Sequence, residues 1–156
     1  DLLLRALMEL PENVHGLFIG EVRDPLVEEL AVDPRLTGRV HFTGFRSNAP
    51  YLIGALDINV APSRGREGLT KTILEGMAQG IPAIVSDAGG LTEIIEHQSS
   101  GMIVKKDSPT TIHQALTTLL DKHLISKFGS NAKISFEKNF SIKNTITETI
   151  NLYESL

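Results

Sequence analysis

Five short apolar segments, separated by helical patterns, constrain the fold of this 156-residue chain more than any other feature. They are predicted to be strands at 15–20, 39–44, 57–62, 82–87 and 101–105. Their apolarity is continuous rather than alternating, which is typical of parallel strands covered on both faces. The sequence therefore predicts an α/β fold in which a Rossmann-like parallel sheet carries helices on both faces.

Helical patterns fill the rest of the chain. They are predicted at about 22–31, 48–55, 69–79, 91–96, 108–120, 122–137 and 142–155. Ser108 and Pro109 suit the first positions of one helix, and Gly80 suits a helix C-cap. Ile142, Ile146, Ile150 and Tyr153 lie along one side of the last helix.

The chain has the size of one domain, which we assign to residues 1–156. It starts directly as an amphipathic helix, with Asp1 as a plausible N-cap and no strand before it. We therefore expect a domain truncated before its first strand.

Composition excludes several classes of protein. The net charge is −4 and the cations are scattered, which argues against a dedicated nucleic-acid surface. No cysteine is present, so disulfides and thiolate sites are excluded, which is compatible with a cytoplasmic location. No apolar run approaches the roughly 18 residues of a membrane span.

Ligands bind open parallel sheets at the carboxyl ends of the strands, and the loop after the third strand is the most suggestive. Gly65 and Gly68 allow a ligand to approach the backbone closely. The helix expected to begin near Leu69 would point its free N–H groups at an anion such as a diphosphate. Thr70 and Lys71 could add a hydroxyl and a cation, although Lys71 could equally be a solvated surface lysine.

Other motifs point away from common sites. The stretch GREGLTKT fails as a P-loop because Thr70 precedes Lys71 where a glycine is required, and no G-x-G-x-x-G occurs. The five histidines show no metal-ligand spacing, so we expect neither a metal nor a resident cofactor. Gly89 and Gly90 could donate N–H groups to a ligand or serve only their turn.

Two carboxylates, Glu67 and Glu75, stand eight residues apart around the predicted helix start. Apolar residues flank Glu75 in the sequence, so its carboxylate needs a partner. A helical rise separates the two carboxylates by about 12 Å, which is too far for one acid and base pair. The spacing suits an extended ligand, with Glu67 at the reacting group, the helix end at phosphates and Glu75 at a ribose. In the alternative, a protein donor binds Glu75.

These stretches together resemble a known family. The segments RVHFTGF, LDINVAPSRGREGLTKTILEGMAQGIPAIVSDAGGLTEII, SSGMIVKKDSP and a late NFS are similar to the C-terminal, donor-binding domain of GT-B fold, family 4 retaining glycosyltransferases. The resemblance covers nearly the whole chain. Its centre is the E-x7-E motif formed by Glu67 and Glu75.

The resemblance implies a role for each matching residue. Glu67 would contact the donor sugar and orient it as the catalytic glutamate, and Glu75 would bind the ribose. Backbone groups of Gly68, Leu69 and Thr70 would meet the diphosphate or sugar. Leu69 and Thr70 depart from the Phe-Gly usual in the family, which alters the shape of the donor pocket. Phe45 and Arg46 match the segment beside the nucleobase, although Arg46 could be a surface charge.

The resemblance implies a sugar transferase that uses a nucleotide-diphosphate sugar, retains the anomeric configuration and needs no metal. Its acceptor would be a glycan, a lipid or a small molecule. The family's acceptor-binding N-terminal domain and its basic pair would lie before Asp1, and the whole protein could associate with membranes. We therefore expect the 156 residues alone to be inactive.

Two other functions stay open. One is a GT-B epimerase or phosphorylase that acts on a nucleotide sugar without transferring it. The other is a noncatalytic binding or regulatory domain that keeps the pocket.

Overall fold

The computed structural model describes residues 1–65, 68 and 70–156, and its strands are the five that the sequence predicts, each shorter than expected. They are β1 (Gly16–Phe18), β2 (Val40–Phe42), β3 (Asn59–Ala61), β4 (Ala83–Ser86) and β5 (Gly101–Val104).

The strands form two parallel sheets with flanking helices, which confirms the Rossmann-like α/β class. One sheet pairs β1 with β2, and the other has the order β3-β4-β5. The described strands fall into two sheets because β1 and β3 are not paired with each other. A separation of this kind cannot be read from strand patterns, which carry no information on order.

Eight helices and one short 3₁₀ helix occur in the described part of the chain. They are α1 (Leu2–Leu7), α2 (Pro25–Ala31), the 3₁₀ helix (Pro34–Leu36), α3 (Ala49–Ile53), α4 (Lys71–Ala78), α5 (Leu91–Ile94), α6 (Pro109–Leu119), α7 (Lys122–Asn139) and α8 (Ile142–Glu154).

β4 is the centre of the core because its alternate side chains serve two clusters on opposite faces. Ile84 belongs to a cluster with α1 and α6, whereas Ala83 and Val85 belong to a cluster with α4 and α5. All four β4 residues are buried. This two-sided burial explains the continuous apolarity of the segment.

The buried Arg39 joins α1 to the β1–β2 sheet. Its guanidinium donates to the carbonyl oxygens of Leu7, Leu10 and Pro11, at 3.0 to 3.2 Å. It also donates to the carbonyls of Val14 and Arg35. These acceptors include the Leu7 carbonyl at the C-terminal end of α1, where a cation is favourable. Sequence analysis missed this anchor.

Two helix ends lie where the sequence predicts them. The Ser108 side chain accepts from the Thr111 N–H, and Pro109 is the first residue of α6. Gly80 ends α4 with φ of +77°, while the Ile81 N–H bonds to the Gly76 carbonyl. Asp1 occupies the N-cap position of α1 but makes no capping hydrogen bond, because its carboxylate binds Arg64 instead.

The predicted apolar side of α8 is exposed rather than packed. Ile142 is 79% exposed and Tyr153 is 73% exposed. No described helix is long and apolar enough to cross a membrane.

Candidate functional site

Loops at the carboxyl ends of β1 and β2 meet through their glycines. The Gly20 N–H donates to the Gly44 carbonyl at 3.1 Å, and both residues have positive φ. The loop after β2 therefore starts from a defined position and presents Phe45 and Arg46 to solvent. Phe45 is 77% exposed, which leaves a large aromatic face free for contact.

The start of the loop after β3 is anchored by hydrogen bonds from two side chains. The buried Ser86, at the end of β4, donates to the Ser63 carbonyl at 2.6 Å. Arg64 binds both carboxylate oxygens of Asp1, at 2.8 and 2.6 Å, and also Asp107 at 2.8 Å. The Asp1 side chain is only 7% exposed, so its two-pronged pair contributes more than the solvated contact with Asp107.

Beyond this anchor, the structure describes only part of the predicted site. Glu67 and Leu69 lie outside the described residues, as does Arg66. Gly68 is exposed, and a Cβ placed on it or on Gly65 would have no neighbour within 4 Å. Gly65 does not have a positive φ, so its own backbone conformation does not require a glycine.

The helix after the loop begins later than expected. Thr70 is the N-cap in an extended conformation, and Lys71 is the first helical residue and is exposed. The expected separation of about 12 Å between the two carboxylates stays a prediction, because Glu67 lies outside the described residues. Glu75 stands about 6 Å along the axis from the start of α4.

α4 is fixed on β3 by a buried amide and a close approach. Asn59 Nδ2 donates to the Thr72 carbonyl at 2.8 Å, and Asn59 is 8% exposed. A Cβ on Gly76 would lie 2.9 Å from the same Nδ2. Asn59 thus positions α4, and sequence analysis missed it because a polar residue opening a strand gives no signal of its partner.

Glu75 lies on the side of α4 opposite the core. Ile73 and Met77 are fully buried, and each is about 200° around the helix from Glu75. Glu75 is half-buried, so the apolar neighbours in sequence do not enclose it. Among the described residues, no group donates a hydrogen bond to its carboxylate or forms an ion pair with it. The alternative of an internal protein donor therefore gains no support from this part of the chain.

The Glu75 side of α4 packs against α3. Gln79, one turn after Glu75 on the same side, donates to the Pro50 carbonyl at 3.0 Å. Pro50 is in the first turn of α3, which directly follows the loop of Phe45 and Arg46. The structure thus places Glu75 on the side of α4 that faces the helix following Phe45 and Arg46.

The remaining sequence candidates have local explanations. His97 accepts from the Ile103 N–H at 2.9 Å, and His15 stacks on His41 with ring centroids 5.6 Å apart. Gly89 has φ of +57°, which its turn requires. No three His, Asp or Glu side chains cluster for a metal within the described ranges, and the expectation of a metal-free site stays a prediction.

Two adjoining cavities, of about 560 and 440 Å³, lie between β1 and β3. Both are lined by Leu3, Leu17, Asn59 and Val60, and we call the space that they form the inter-sheet slot. Of the described site candidates, none lines the slot, although Thr72 of α4 does. The described donor candidates therefore lie outside this space.

Comparison with known proteins gives consistent matches. A family model described as "Glycosyl transferases group 1" matches residues 1–122. The lipopolysaccharide core biosynthesis mannosyltransferase LpsB of Rhizobium meliloti is 30% identical over 133 residues, which are 83% of this chain and 38% of that protein.

Two solved structures have the same fold. HepE of Anabaena, in complex with UDP and glucose, is 25% identical with a TM-score of 0.89, over 99% of this chain and 44% of that one. The C-terminal domain of a glycosyl transferase group 1 family protein (LpcC) from Francisella tularensis is 26% identical with a TM-score of 0.82, over 90% of this chain and 78% of that one. The chain spans less than half the length of LpsB and HepE.

If Asn59 positions α4, an isosteric substitution of Asn59 should weaken the packing of this helix on β3. Asn59→Asp replaces the amide donor by a carboxylate that faces the Thr72 carbonyl, and we expect a loss of about 2 kcal/mol in the free energy of unfolding. Urea unfolding of the chain measures this loss. Asn151→Asp, at an exposed position of α8, makes the same chemical change and should alter stability by less than about 0.5 kcal/mol. Equal effects of the two substitutions would contradict the role given to Asn59.

Proposed function

Because the chain belongs to the group 1 glycosyl transferases, we propose that it is the donor-binding domain of an enzyme that transfers a sugar from a nucleotide-diphosphate sugar. The proposed transfer retains the anomeric configuration, and the acceptor is a glycan, a lipid or a small molecule. The complex of HepE with UDP and glucose supports a nucleotide sugar as the donor class.

The observation that carries this proposal is the Glu75 carboxylate. It is half-buried, it lacks a donor among the described residues, and it stands midway along α4 on the side that faces α3. A carboxylate accepts hydrogen bonds at both oxygens, and a ribose offers two adjacent hydroxyls. Glu75 therefore binds the ribose in our proposal.

The other contacts follow from the position of the ribose. In our proposal the N-terminal end of α4 faces the diphosphate, with Gly68 and Thr70 supplying backbone groups and Lys71 a cation. Phe45 and Arg46 lie beside the nucleobase, where an aromatic face and a guanidinium suit a flat ring. Glu67 orients the donor sugar.

In the proposed reaction, the chain orients the donor sugar and stabilises the negative charge of the departing diphosphate. As the bond to the donor sugar breaks, negative charge grows on the departing diphosphate, and the N-terminal end of α4 stabilises it. Glu67 holds the sugar in the reacting orientation rather than attacking it. The proposed reaction uses no resident metal or cofactor.

Replacing Glu75 tests the ribose contact. Glu75→Gln keeps the shape of the side chain but removes its charge, and we expect nucleoside diphosphate affinity to fall about tenfold or more. Isothermal titration of the full-length protein with UDP, GDP and ADP measures the change.

Glu12→Gln is the matched control, because Glu12 is exposed just before β1, at the amino end of the strands. It should leave affinity unchanged. Affinity unchanged in Glu75→Gln as well would contradict the proposed contact.

The full-length protein should transfer sugar and the 156-residue chain alone should not. Our proposal places the acceptor site and some of the residues that bind the diphosphate in the rest of the protein. Incubation of both forms with UDP-, GDP- and ADP-sugars, followed by nuclear magnetic resonance of the product, reports transfer and the anomeric configuration.

Three outcomes would contradict this proposal in different ways. Transfer by the isolated chain would place a complete enzyme within 156 residues. Binding by the full-length protein without any turnover would favour a noncatalytic domain. Conversion of the nucleotide sugar without an acceptor would favour an epimerase, and conversion that requires inorganic phosphate would favour a phosphorylase.

A further inference from the structure

α3 is a short helix whose position depends on its contacts with α4. A helix of five residues has little stability of its own, so tertiary contacts decide where it lies. Ile53 is the only buried residue of α3, all of which the structure describes. A Cβ on Gly76 of α4 would lie 3.6 Å from Ile53 Cγ2, so Ile53 packs close to this glycine. This contact holds the C-terminal end of α3, and its first turn is held by a different residue.

The side-chain amide of Gln79 holds the first turn of α3. Gln79 Nε2 donates to the Pro50 carbonyl of α3 at 3.0 Å and to the Glu75 carbonyl of α4 at 3.1 Å. A side-chain amide has two N–H donors, and both are used here. We call these two hydrogen bonds the α3–α4 clasp. The clasp joins the start of α3 to the residue that carries the proposed ribose carboxylate.

Gly54 gives the Gln79 amide the space that it occupies. A Cβ on Gly54 would collide with Gln79 Oε1. Gly54 follows α3 with φ of −61°, an ordinary right-handed helical conformation that any residue adopts. The backbone therefore does not require a glycine at this position. Its missing side chain serves the close approach of the amide.

The loop of residues 45–48 is held at both of its ends. Before it, the Gly44 carbonyl accepts from the Gly20 N–H at 3.1 Å. After it, the Ala49 N–H donates to the Arg46 carbonyl at 3.3 Å, in a turn that leads directly into α3. Because the loop between these two anchors is short, a shift of α3 displaces Phe45 and Arg46.

We infer that Gln79 is a positioning residue for donor binding. Through the α3–α4 clasp it sets the separation between the residues proposed for the nucleobase, Phe45 and Arg46, and Glu75 at the ribose. The base and ribose of a nucleoside are covalently joined, so the groups that bind them have to stand at a matched separation. This inference rests on the proposed function, because it takes both groups as parts of one site. Gln79 acts through these residues and does not itself contact the ligand.

Replacing Gln79 by methionine tests the clasp. Gln79→Met keeps the length of the side chain and removes both donors, and Gln79 is exposed, so the substitution leaves no cavity. We expect the affinity of the full-length protein for a nucleoside diphosphate to fall about fivefold, the value of one net hydrogen bond. Titration with UDP, GDP and ADP measures the change. Gln114→Met makes the same chemical change at an exposed position of α6 and should leave the affinity within about twofold.

Gly54→Ala breaks the clasp from the other side and separates positioning from stability. The new methyl group displaces the end of the Gln79 side chain, while alanine favours the helical conformation more than glycine does. We therefore expect an affinity about fivefold lower, with no fall in the urea concentration at the midpoint of unfolding. Unchanged affinity in either clasp variant would overturn the inference.

A thermodynamic cycle with Phe45→Ala shows whether Gln79 acts through the loop. In the Phe45→Ala protein, Gln79→Met should lower the affinity less than about twofold, because the contact that the clasp positions is already gone. Fivefold losses in both backgrounds would show that Gln79 acts elsewhere and would overturn the inference. If the unaltered protein binds none of UDP, GDP and ADP, the proposed function fails and this inference falls with it. Binding by the unaltered protein that the clasp variants leave unchanged overturns this inference alone.

Discussion

The packing of α4 against β3 is the constraint on which the candidate site depends. The Asn59 amide satisfies the Thr72 carbonyl in a buried position, and Gly76 allows the helix to approach that amide closely. Ile73 and Met77 then fill the core on the same side. Because three features fix the rotation of the helix, Glu75 has to face away from the core, on the side of α4 that contacts α3.

A second set of contacts fixes the start of the loop between β3 and α4. Ser86 reaches it from the central strand β4, and Arg64 ties it to the start of α1 and to Asp107. These anchors come from three elements that are distant in sequence. Ser63 and Arg64, held in this way, lose less conformational freedom when a ligand binds beside them.

Much of this architecture could be predicted from the sequence, and the exceptions have physical reasons. Strand positions, the Gly80 stop and the Ser108 cap depend on local chemistry, so they were predictable. The start of α4 was not, because Leu69 continues the apolar pattern although Thr70 is extended. The two separate sheets, the buried Arg39 and the Asn59 anchor depend on partners far away in the chain. The environment of Glu75 was misjudged because neighbours in sequence lie on other sides of a helix.

The central claim is that the Glu75 carboxylate binds the ribose diol of the donor, and a thermodynamic cycle tests it most directly. The affinities of a ribonucleoside diphosphate and its 2′-deoxy analogue are measured by titration with the full-length protein and with its Glu75→Gln variant. The account predicts a coupling of about 1 kcal/mol or more between the side-chain change and loss of the hydroxyl. Additive effects, within about 0.3 kcal/mol, would contradict it.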